Sequence, residues 1–507
     1  MATTAPLQIF PDKENIKTYF LMGIIATIFA YIVLKEVSLP SYVLISAGLI
    51  GGIILIVQGI SKPHVITYVL VAYLPFSRIL VGDFSGAAQS LNMTNVLMIF
   101  IIVAWISGKY AEGEPPWLSS PLNGLIFMFM VFGLVAVYRG VTHSSANYWD
   151  VLTQYKRWIT PLILYFLVLN TVKDKKTIRN IIGIMIIVTT LVGLMAIYDY
   201  IEIGEVSTLE KSRVGGIAEH SNSLAAFFCY YMFLPFGFFL MNMHRPKYWL
   251  LLVPFLIQFR GIMVTFSRGG YLAFALGLYA AAWFRSKFLF IVLLGLTGLA
   301  VLNPIILPAG IRYRMMQTIN KDVSYIETAE ELEGSLETSS KTRVEVWKGA
   351  VKMIAEYPML GVGYGLFYYR ISPYWEQNRP IDAHNSYIII AAEMGIPALL
   401  NFLLIVLVTI WMAYSLYART KDPFSKAVAL GYLGGLFGLL MSNMFGSRLD
   451  HLEVAGYFWI LAALVQRLRI IDGREAAAPP TEDESRAGGP AAVKRSNKLD
   501  ACWSEAD

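Results

Sequence analysis

The sequence predicts an all-α protein, a polytopic bundle of transmembrane helices with one long extracytoplasmic loop. Its composition is 56% hydrophobic and only 15% charged, whereas soluble domains have roughly 25% charged residues. Apolar runs rich in Leu and Ile, long enough to cross a bilayer, recur along the chain. These runs lack the alternation of barrel strands. Because backbone groups inside a bilayer must be paired within the protein, the runs are predicted to be helices.

The chain divides into about fourteen candidate spans of membrane-crossing length. Pro75 and Arg78 interrupt the third span, and the sixth is short and starts at Pro161. The predicted spans begin near Thr18, Ser41, His64, Thr94, Leu122, Ile159, Arg179, Ser223, Tyr248, Gly270, Lys287, Ser386, Ala427 and Glu453.

The spans define a simple domain organisation. Residues 1–17 are a cytoplasmic N-terminus, 18–311 contain transmembrane helices 1–11, and 386–471 contain helices 12–14. Residues 312–385 form the long extracytoplasmic loop, and their Trp, Tyr and Gly content predicts an ordered structure. Residues 472–507 are poor in aromatic residues and are predicted to be a disordered cytoplasmic tail.

The distribution of Lys and Arg predicts the orientation. Alternate short loops carry cations such as Lys62, Lys109, Arg245 and Arg285, whereas the segment 83–92 between two spans has none. Cations mark cytoplasmic loops, so both termini are predicted to be cytoplasmic and the long loop to face outward. Since these charges are dispersed and form no patch, nucleic-acid binding is not predicted.

Four residues are candidates for chemistry on the outer side. Arg213 precedes the eighth span, Arg268 lies at the junction of the ninth and tenth, and Arg260 lies deeper in the ninth. His384 stands where the long loop re-enters the membrane. Arginines on one aqueous side can bind a diphosphate bidentately, and an imidazole can remove a proton at neutral pH. Alternatively, Arg268 reaches lipid headgroups, Arg260 has a structural partner, and His384 is an ordinary interfacial residue.

Weaker signals lie close to these residues. Asn222 and Asn385 precede apolar runs and are either helix caps or weaker substrate ligands. The glycines of GVGYG, residues 361–365, predict tight loop packing or a backbone nest near a substrate. Arg343 and Trp347 share one face of an amphipathic helix. The outer loops contain no cluster with metal-ligand spacing, so neither a metal nor a cofactor is predicted, and arginines would neutralise charge instead.

Several stretches resemble a known family. They are RVGG…NSLA before the eighth span, the junction TFSRGGYL, and the loop pieces RVEVWKGAVKMIAEYPMLGVGYGLF and AHNSYIIIAAEMGIPALL. Together they resemble the superfamily of O-antigen ligases and O-antigen polymerases, which includes protein O-oligosaccharyltransferases. The resemblance covers roughly Arg213 to Met444.

The resemblance implies a metal-independent glycosyltransferase that uses a polyprenyl-diphosphate-linked glycan at the outer face of the bacterial inner membrane. It implies that Arg213 and Arg268 bind the donor diphosphate and that His384 is the essential loop histidine. Proton removal by His384 would give inversion at the sugar carbon. An O-antigen ligase with lipid A–core as acceptor is the first interpretation, and a polymerase or a protein O-oligosaccharyltransferase remains open. A polysaccharide transporter or flippase would predict inverted repeats, which the sequence does not show.

Overall fold

The computed structural model describes residues 63–80, 93–112, 117–142, 148–204, 213–218, 220–303, 340–446, 448–449 and 451–477. Regular structure within these ranges is helical. The predicted spans from Thr18 and Ser41 lie outside the described residues, as do residues 478–507 of the predicted tail. Residues 472–477 of that tail are not disordered, because they continue the last helix to Ala477.

The described ranges form a succession of helices that corresponds to the apolar runs. Short 3₁₀ helices occur at Leu74–Phe76, Gly216–Ala218, Pro246–Leu251 and Ser372–Tyr374. In chain order, the α-helices are α1 (Pro63–Tyr73), α2 (Ser77–Leu80), α3 (Met93–Glu112), α4 (Asn123–Thr142), α5 (Tyr148–Thr171), α6 (Lys175–Ile203), α7 (Ser221–Tyr231), α8 (Phe233–Asn242), α9 (Leu252–Val264), α10 (Arg268–Arg285), α11 (Lys287–Leu302), α12 (Ser340–Glu356), α13 (Phe367–Arg370), α14 (Ser386–Met394), α15 (Ile396–Arg419), α16 (Pro423–Ser442) and α17 (Leu452–Ala477).

Seven segments of the described ranges are long and apolar enough to cross a membrane. They are α4, α6, α7 with α8, α9 with the 3₁₀ turn before it, α15, α16 and α17. Shorter apolar helices lie within α1–α2, α3 and α11. The prediction of a multi-pass helical membrane protein is confirmed, whereas the count of fourteen spans is not.

Prolines and one glycine explain where helix boundaries differ from the sequence predictions. α1 ends at Tyr73 and a 3₁₀ turn containing Pro75 separates it from α2, since proline has no N–H for the helix ladder. The sixth span is not short: α5 begins at Tyr148 and continues through Pro161. The twelfth span does not begin at Ser386, because Gly395, with φ +89°, ends α14 and a new helix, α15, starts at Ile396.

The centre of the bundle consists of α7–α8, α16 and α17. In the apolar stretches of these three segments, 83%, 78% and 83% of the residues are buried. Close approach of α16 to α7–α8 depends on glycines that leave no room for a side chain. A Cβ on Gly438 would lie 2.6 Å from the carbonyl oxygen of Cys229, and one on Gly435 would meet the carbonyl of Tyr230. Small residues at helix contacts are expected in membranes, where packing replaces the hydrophobic effect as the driving force.

We expect Gly435→Ala to destabilise the bundle by about 1–3 kcal/mol, the usual cost of overpacking a core. The new methyl group would collide with the backbone of α7, which cannot yield as a side chain can. Gly295→Ala in α11 is the matched control, because nothing lies within 4 Å of its added Cβ. Thermal unfolding in detergent should show a lower midpoint for the first variant and an unchanged or higher one for the second. Equal midpoints would contradict close packing of α16.

The described part of the long loop has a small hydrophobic core of its own. Val346, Ala350 and Met353 of α12 pack there with Phe367 of α13 and Trp375, all buried. The same cluster includes Ala392 of α14, which joins it to the membrane helices. The expectation of order in the long loop is therefore confirmed for residues 340–385.

The two ends of the bundle differ in their charged groups. At one end, Lys175 Nζ lies 2.8 Å from Asp472 Oδ1 and 3.4 Å from Asp422 Oδ2. Near this end, Arg285 Nε donates to the carbonyl of Leu240 at 2.9 Å. Since Arg285 ends α10 and Arg268 begins it, Arg268 and the candidate active site lie at the opposite end.

Candidate active site

The α9–α10 junction places Arg268 at the first residue of a helix. Phe266 adopts a left-handed conformation with φ +48° and turns the chain between the two helices. Ser267 then caps α10, because its Oγ accepts from the amide of Gly270 at 3.2 Å. A Cβ on Gly270 would lie 2.8 Å from the Cβ of Ala225, so this glycine allows α10 to start close against α7.

Arg213 is tied to the same junction by two hydrogen bonds. Its Nε donates to the carbonyl of Thr265 at 3.0 Å, and its Nη2 donates to Asn222 Oδ1 at 2.9 Å. Ser267 Oγ also donates to Asn222 Oδ1, at 2.8 Å. Asn222 is the second residue of α7, and His220 occupies the N-cap position. Asn222 therefore does not cap the helix, and it orients Arg213 relative to the α9–α10 junction.

A third arginine, Arg343 of α12, reaches this region from the long loop. Trp347, one turn further along α12, donates from Nε1 to the carbonyl of Ala383 at 2.8 Å. This bond fixes α12 beside the turn that contains His384. Within the described part of the chain, the buried Nε of Arg343 has no hydrogen-bond partner.

The charges around Arg343 show which groups come together. Burial holds the pKa of Arg343 below the usual value for arginine. The neighbouring charges of Arg268 and Arg213 lower that pKa further, and Asp382 raises it. Arg213 and Arg268 are therefore close enough to Arg343 to repel it, and Asp382 is close enough to attract it. Arg448 also lies within electrostatic range of Arg343. An arriving anion would relieve this repulsion.

His384 forms a pair with Asp382 beside the arginines. Its Nδ1 lies 3.0 Å from Asp382 Oδ2, and an ionised carboxylate can only accept a hydrogen bond. Nδ1 therefore carries the hydrogen, and in the neutral imidazole Nε2 has a free lone pair. The backbone of His384 is left-handed, with φ +47°, a conformation that costs a non-glycine residue energy and is concentrated at functional sites.

The turn after His384 is held rigidly. Asn385 Oδ1 accepts from the amides of Tyr387 at 3.0 Å and Ile388 at 3.2 Å, and so caps α14. The amide of Ser386 donates to the carbonyl of Asn443 at 2.9 Å, and its Oγ lies 2.8 Å from Asn443 Oδ1. Asn385 thus has a helix-cap role, and its contact with substrate stays a prediction.

The glycine loop, defined as residues 361–365, packs against two helices. A Cβ on Gly363, which has φ +113°, would lie 2.7 Å from the amide nitrogen of Gly140 in α4. The amides of residues 362–364 donate to carbonyls of α14 and α4. Of the two interpretations made from sequence, close packing fits the structure. The nest interpretation does not, because these amides already have partners.

The side chain of Arg260 is exposed on α9, with the guanidinium 5.5 Å from the ring centroid of Tyr200. The ring of Tyr200 in turn lies 6.0 Å from that of Phe266 at the α9–α10 junction. Binding of diphosphate by Arg260 stays a prediction.

The sequence argument did not assign Arg343 or Asp382 to the site. Arg343 was recognisable only by its place one turn before Trp347, and Asp382 by standing two residues before His384. Among the described residues, no three His, Cys, Asp or Glu side chains form a group that could hold a metal. Metal independence stays a prediction.

Comparisons with known proteins connect this region to a family. Residues 253–403 match the sequence model of a protein family that is described as O-antigen ligase. This range includes Arg268, Arg343 and His384. A similar protein is the teichuronic acid biosynthesis protein TuaE of Bacillus subtilis (strain 168), which is 26% identical over 129 residues. The aligned stretch spans 25% of this chain and 26% of that relative. The chain therefore carries an O-antigen ligase family region, which confirms its resemblance to this superfamily of membrane glycan-processing enzymes.

Proposed function

We propose that the protein transfers a glycan from a polyprenyl diphosphate to an acceptor hydroxyl, with lipid A–core as the first-choice acceptor. This is the O-antigen ligase reaction, at the outer face of the bacterial inner membrane. One observation carries the proposal: Arg213 and Arg268 lie within electrostatic range of Arg343, as does Asp382, which pairs with His384.

The arginines suit the diphosphate of a lipid-linked donor. Guanidinium groups form bidentate, charge-assisted hydrogen bonds with phosphate oxygens. Arg213 is oriented by Thr265 and Asn222, so part of the site is preorganised for the anion. The polyprenyl chain of the donor would remain in the bilayer while its diphosphate binds at this end of the bundle.

His384 has the geometry of a general base for the acceptor. Asp382 holds the hydrogen on Nδ1, so Nε2 can take the proton of the attacking hydroxyl. The hydroxyl oxygen forms a bond to the anomeric carbon as the bond from that carbon to the diphosphate oxygen breaks. The polyprenyl diphosphate leaves with the electron pair, and the arginines stabilise its charge. Attack from the opposite face inverts the anomeric configuration.

Extension of the lipid-linked glycan, the polymerase reaction, is the second candidate. The similar protein TuaE is named for the biosynthesis of teichuronic acid. The same arginines and the same base would serve both reactions, because only the acceptor differs.

Deletion of the gene, followed by analysis of surface and lipid-linked glycans, tests the proposal. A ligase predicts loss of polymer from lipid A–core, with full-length lipid-linked polymer still accumulating. A polymerase predicts products with a single repeat. An unchanged glycan profile would refute both reactions.

We predict that the folded loop faces outward and that the end with Lys175 is cytoplasmic, from the positive-inside rule. Glu376 of the loop and Arg474 of α17 are both exposed, so each can be replaced with Cys in a Cys502→Ser background. Cys229 is buried and should remain unlabelled. In spheroplasts, a membrane-impermeant maleimide should label Glu376→Cys and should label Arg474→Cys only after permeabilisation. The reverse pattern would place the arginines in the wrong compartment.

A further inference from the structure

A cavity of about 240 Å³ lies beside the proposed base. It opens between α5, the glycine loop and α14. Its size is slightly below the roughly 300–1,000 Å³ of pockets for drug-sized ligands, so it suits a smaller ring. Aromatic and hydrogen-bonding side chains alternate on its walls, among them Trp158, Tyr364, Tyr368, Gln154, Asp382 and Glu393.

Three aromatic side chains with a polar edge line the cavity, Trp158, Tyr364 and Tyr368. The rings of Trp158 and Tyr364 meet edge to face, with centroids 6.2 Å apart. Tyr368 is 45% exposed, so its ring can be covered by a ligand. The carbon-bound hydrogens of a sugar ring are slightly positive and pack on the electron-rich face of an aromatic ring. The wall therefore suits a sugar.

Two carboxylates define the polar side of the cavity. Glu393 is 7% exposed, and its Oε1 accepts from the amide of Phe367 at 3.1 Å, which fixes its side chain toward the start of α13. Asp382 lies on the same wall and also holds His384. Carboxylates accept strong hydrogen bonds from hydroxyl groups, and Gln154 can both donate and accept.

The charges of the cavity also indicate which substrate occupies it. Arg448 reaches the wall, but its Nη1 and Nη2 donate to the carbonyls of Ser442 at 2.7 Å and Phe445 at 3.1 Å. The cavity wall thus carries two carboxyl groups, those of Asp382 and Glu393, and one guanidinium whose Nη1 and Nη2 already donate to backbone carbonyls, so it suits a diphosphate less well than the region of Arg213 and Arg268 does. The donor phosphates belong with the arginines, and the cavity is left for a neutral, hydroxyl-rich group.

We propose that this cavity binds a sugar ring of the acceptor, stacked on Tyr368 and Tyr364, with its attacking hydroxyl directed toward His384. This assignment rests on the proposed glycosyltransferase function. It makes Tyr368 a residue that determines acceptor binding, whereas the arginines determine donor binding.

Tyr368→Ala is the test, with Tyr369→Ala as its matched control. Tyr369 is the adjacent and more exposed tyrosine, at 67%, and does not line the cavity. Purified enzyme is assayed with a labelled glycan on undecaprenyl diphosphate as donor. Lipid A–core or the repeat-unit oligosaccharide as an alkyl glycoside serves as acceptor. We expect Tyr368→Ala to raise the acceptor KM about tenfold, equivalent to the loss of one aromatic contact. The donor KM should stay unchanged, and Tyr368→Phe should behave like the wild type.

Other outcomes separate this proposal from the proposed function. A raised donor KM with an unchanged acceptor KM would mean that the cavity holds the donor sugar, and equal acceptor KM values in all variants would also overturn it. Absence of transfer by the wild-type enzyme would overturn the glycosyltransferase function instead. Saturation-transfer NMR with the alkyl glycoside then tests sugar binding in the cavity directly. A saturation-transfer signal that is reduced only in Tyr368→Ala supports a sugar site, and equal signals in the wild type and all variants refute it.

Discussion

Replacing His384 with alanine is expected to reduce glycan transfer by about 10²–10⁴-fold, the usual contribution of a general base. Donor affinity should change little, because the proposed mechanism assigns the diphosphate to the arginines and moves the proton only during reaction. The measurement is kcat with purified enzyme, a lipid-diphosphate glycan donor and a saturating acceptor. His244→Ala is the matched control, since His244 is exposed where α8 ends, at the opposite end of the bundle.

Two further variants separate proton transfer from positioning. His384→Gln can still form a hydrogen bond but cannot accept a proton at neutral pH, so it should be as slow as the alanine variant. Asp382→Asn removes the negative charge that holds the hydrogen on Nδ1 and that would stabilise the imidazolium formed when Nε2 takes the proton. It should therefore also be slow. Near-normal turnover of His384→Gln would eliminate the base role, and loss of activity with EDTA that Mg²⁺ restores would reveal a metal.

The sequence predicted the membrane fold well because bilayer length and apolar composition act on each segment independently. It failed where one local feature outweighed composition. The run from Ser386 is apolar throughout, but Gly395 has a left-handed backbone that divides it into α14 and α15. At Pro161 the error was the opposite one. The sequence predicted that a span starts there, but α5 continues through this proline as one helix.

The active site was only partly predictable for a different reason. Arg213, Arg268 and His384 all precede or follow apolar runs, so their position relative to the membrane could be inferred from the spans. Arg343 lies in a polar loop helix, and its approach to the other arginines depends on a tertiary contact, the bond from Trp347 to Ala383. No pattern in the sequence records a contact between two loop segments 36 residues apart.

Arg343 should prove as important for reaction with the glycan donor as Arg213 and Arg268, the two arginines identified from sequence. Removal of one preorganised group that stabilises developing charge typically costs about 10²–10³-fold in rate. We expect Arg343→Ala to reduce kcat/KM for the donor by this amount. Arg343→Lys should restore only part of it, because an ammonium group is a point charge without the guanidinium fork. Arg370→Ala is the control, since Arg370 is exposed elsewhere in the same folded loop.

The stability of the Arg343→Ala protein distinguishes binding from a structural role. Burial and the nearby charges of Arg268 and Arg213 disfavour the charged form of Arg343 in the absence of an anion. Its removal should therefore leave the thermal midpoint of the substrate-free protein unchanged or raise it. Functional residues commonly destabilise the fold in this way, because they are selected for activity and not for stability. Undecaprenyl diphosphate should raise the thermal midpoint of the wild-type protein and of Arg370→Ala. The increase in the midpoint of Arg343→Ala should be much smaller. A variant that unfolds at lower temperature and retains its kcat/KM would show that Arg343 only supports the loop.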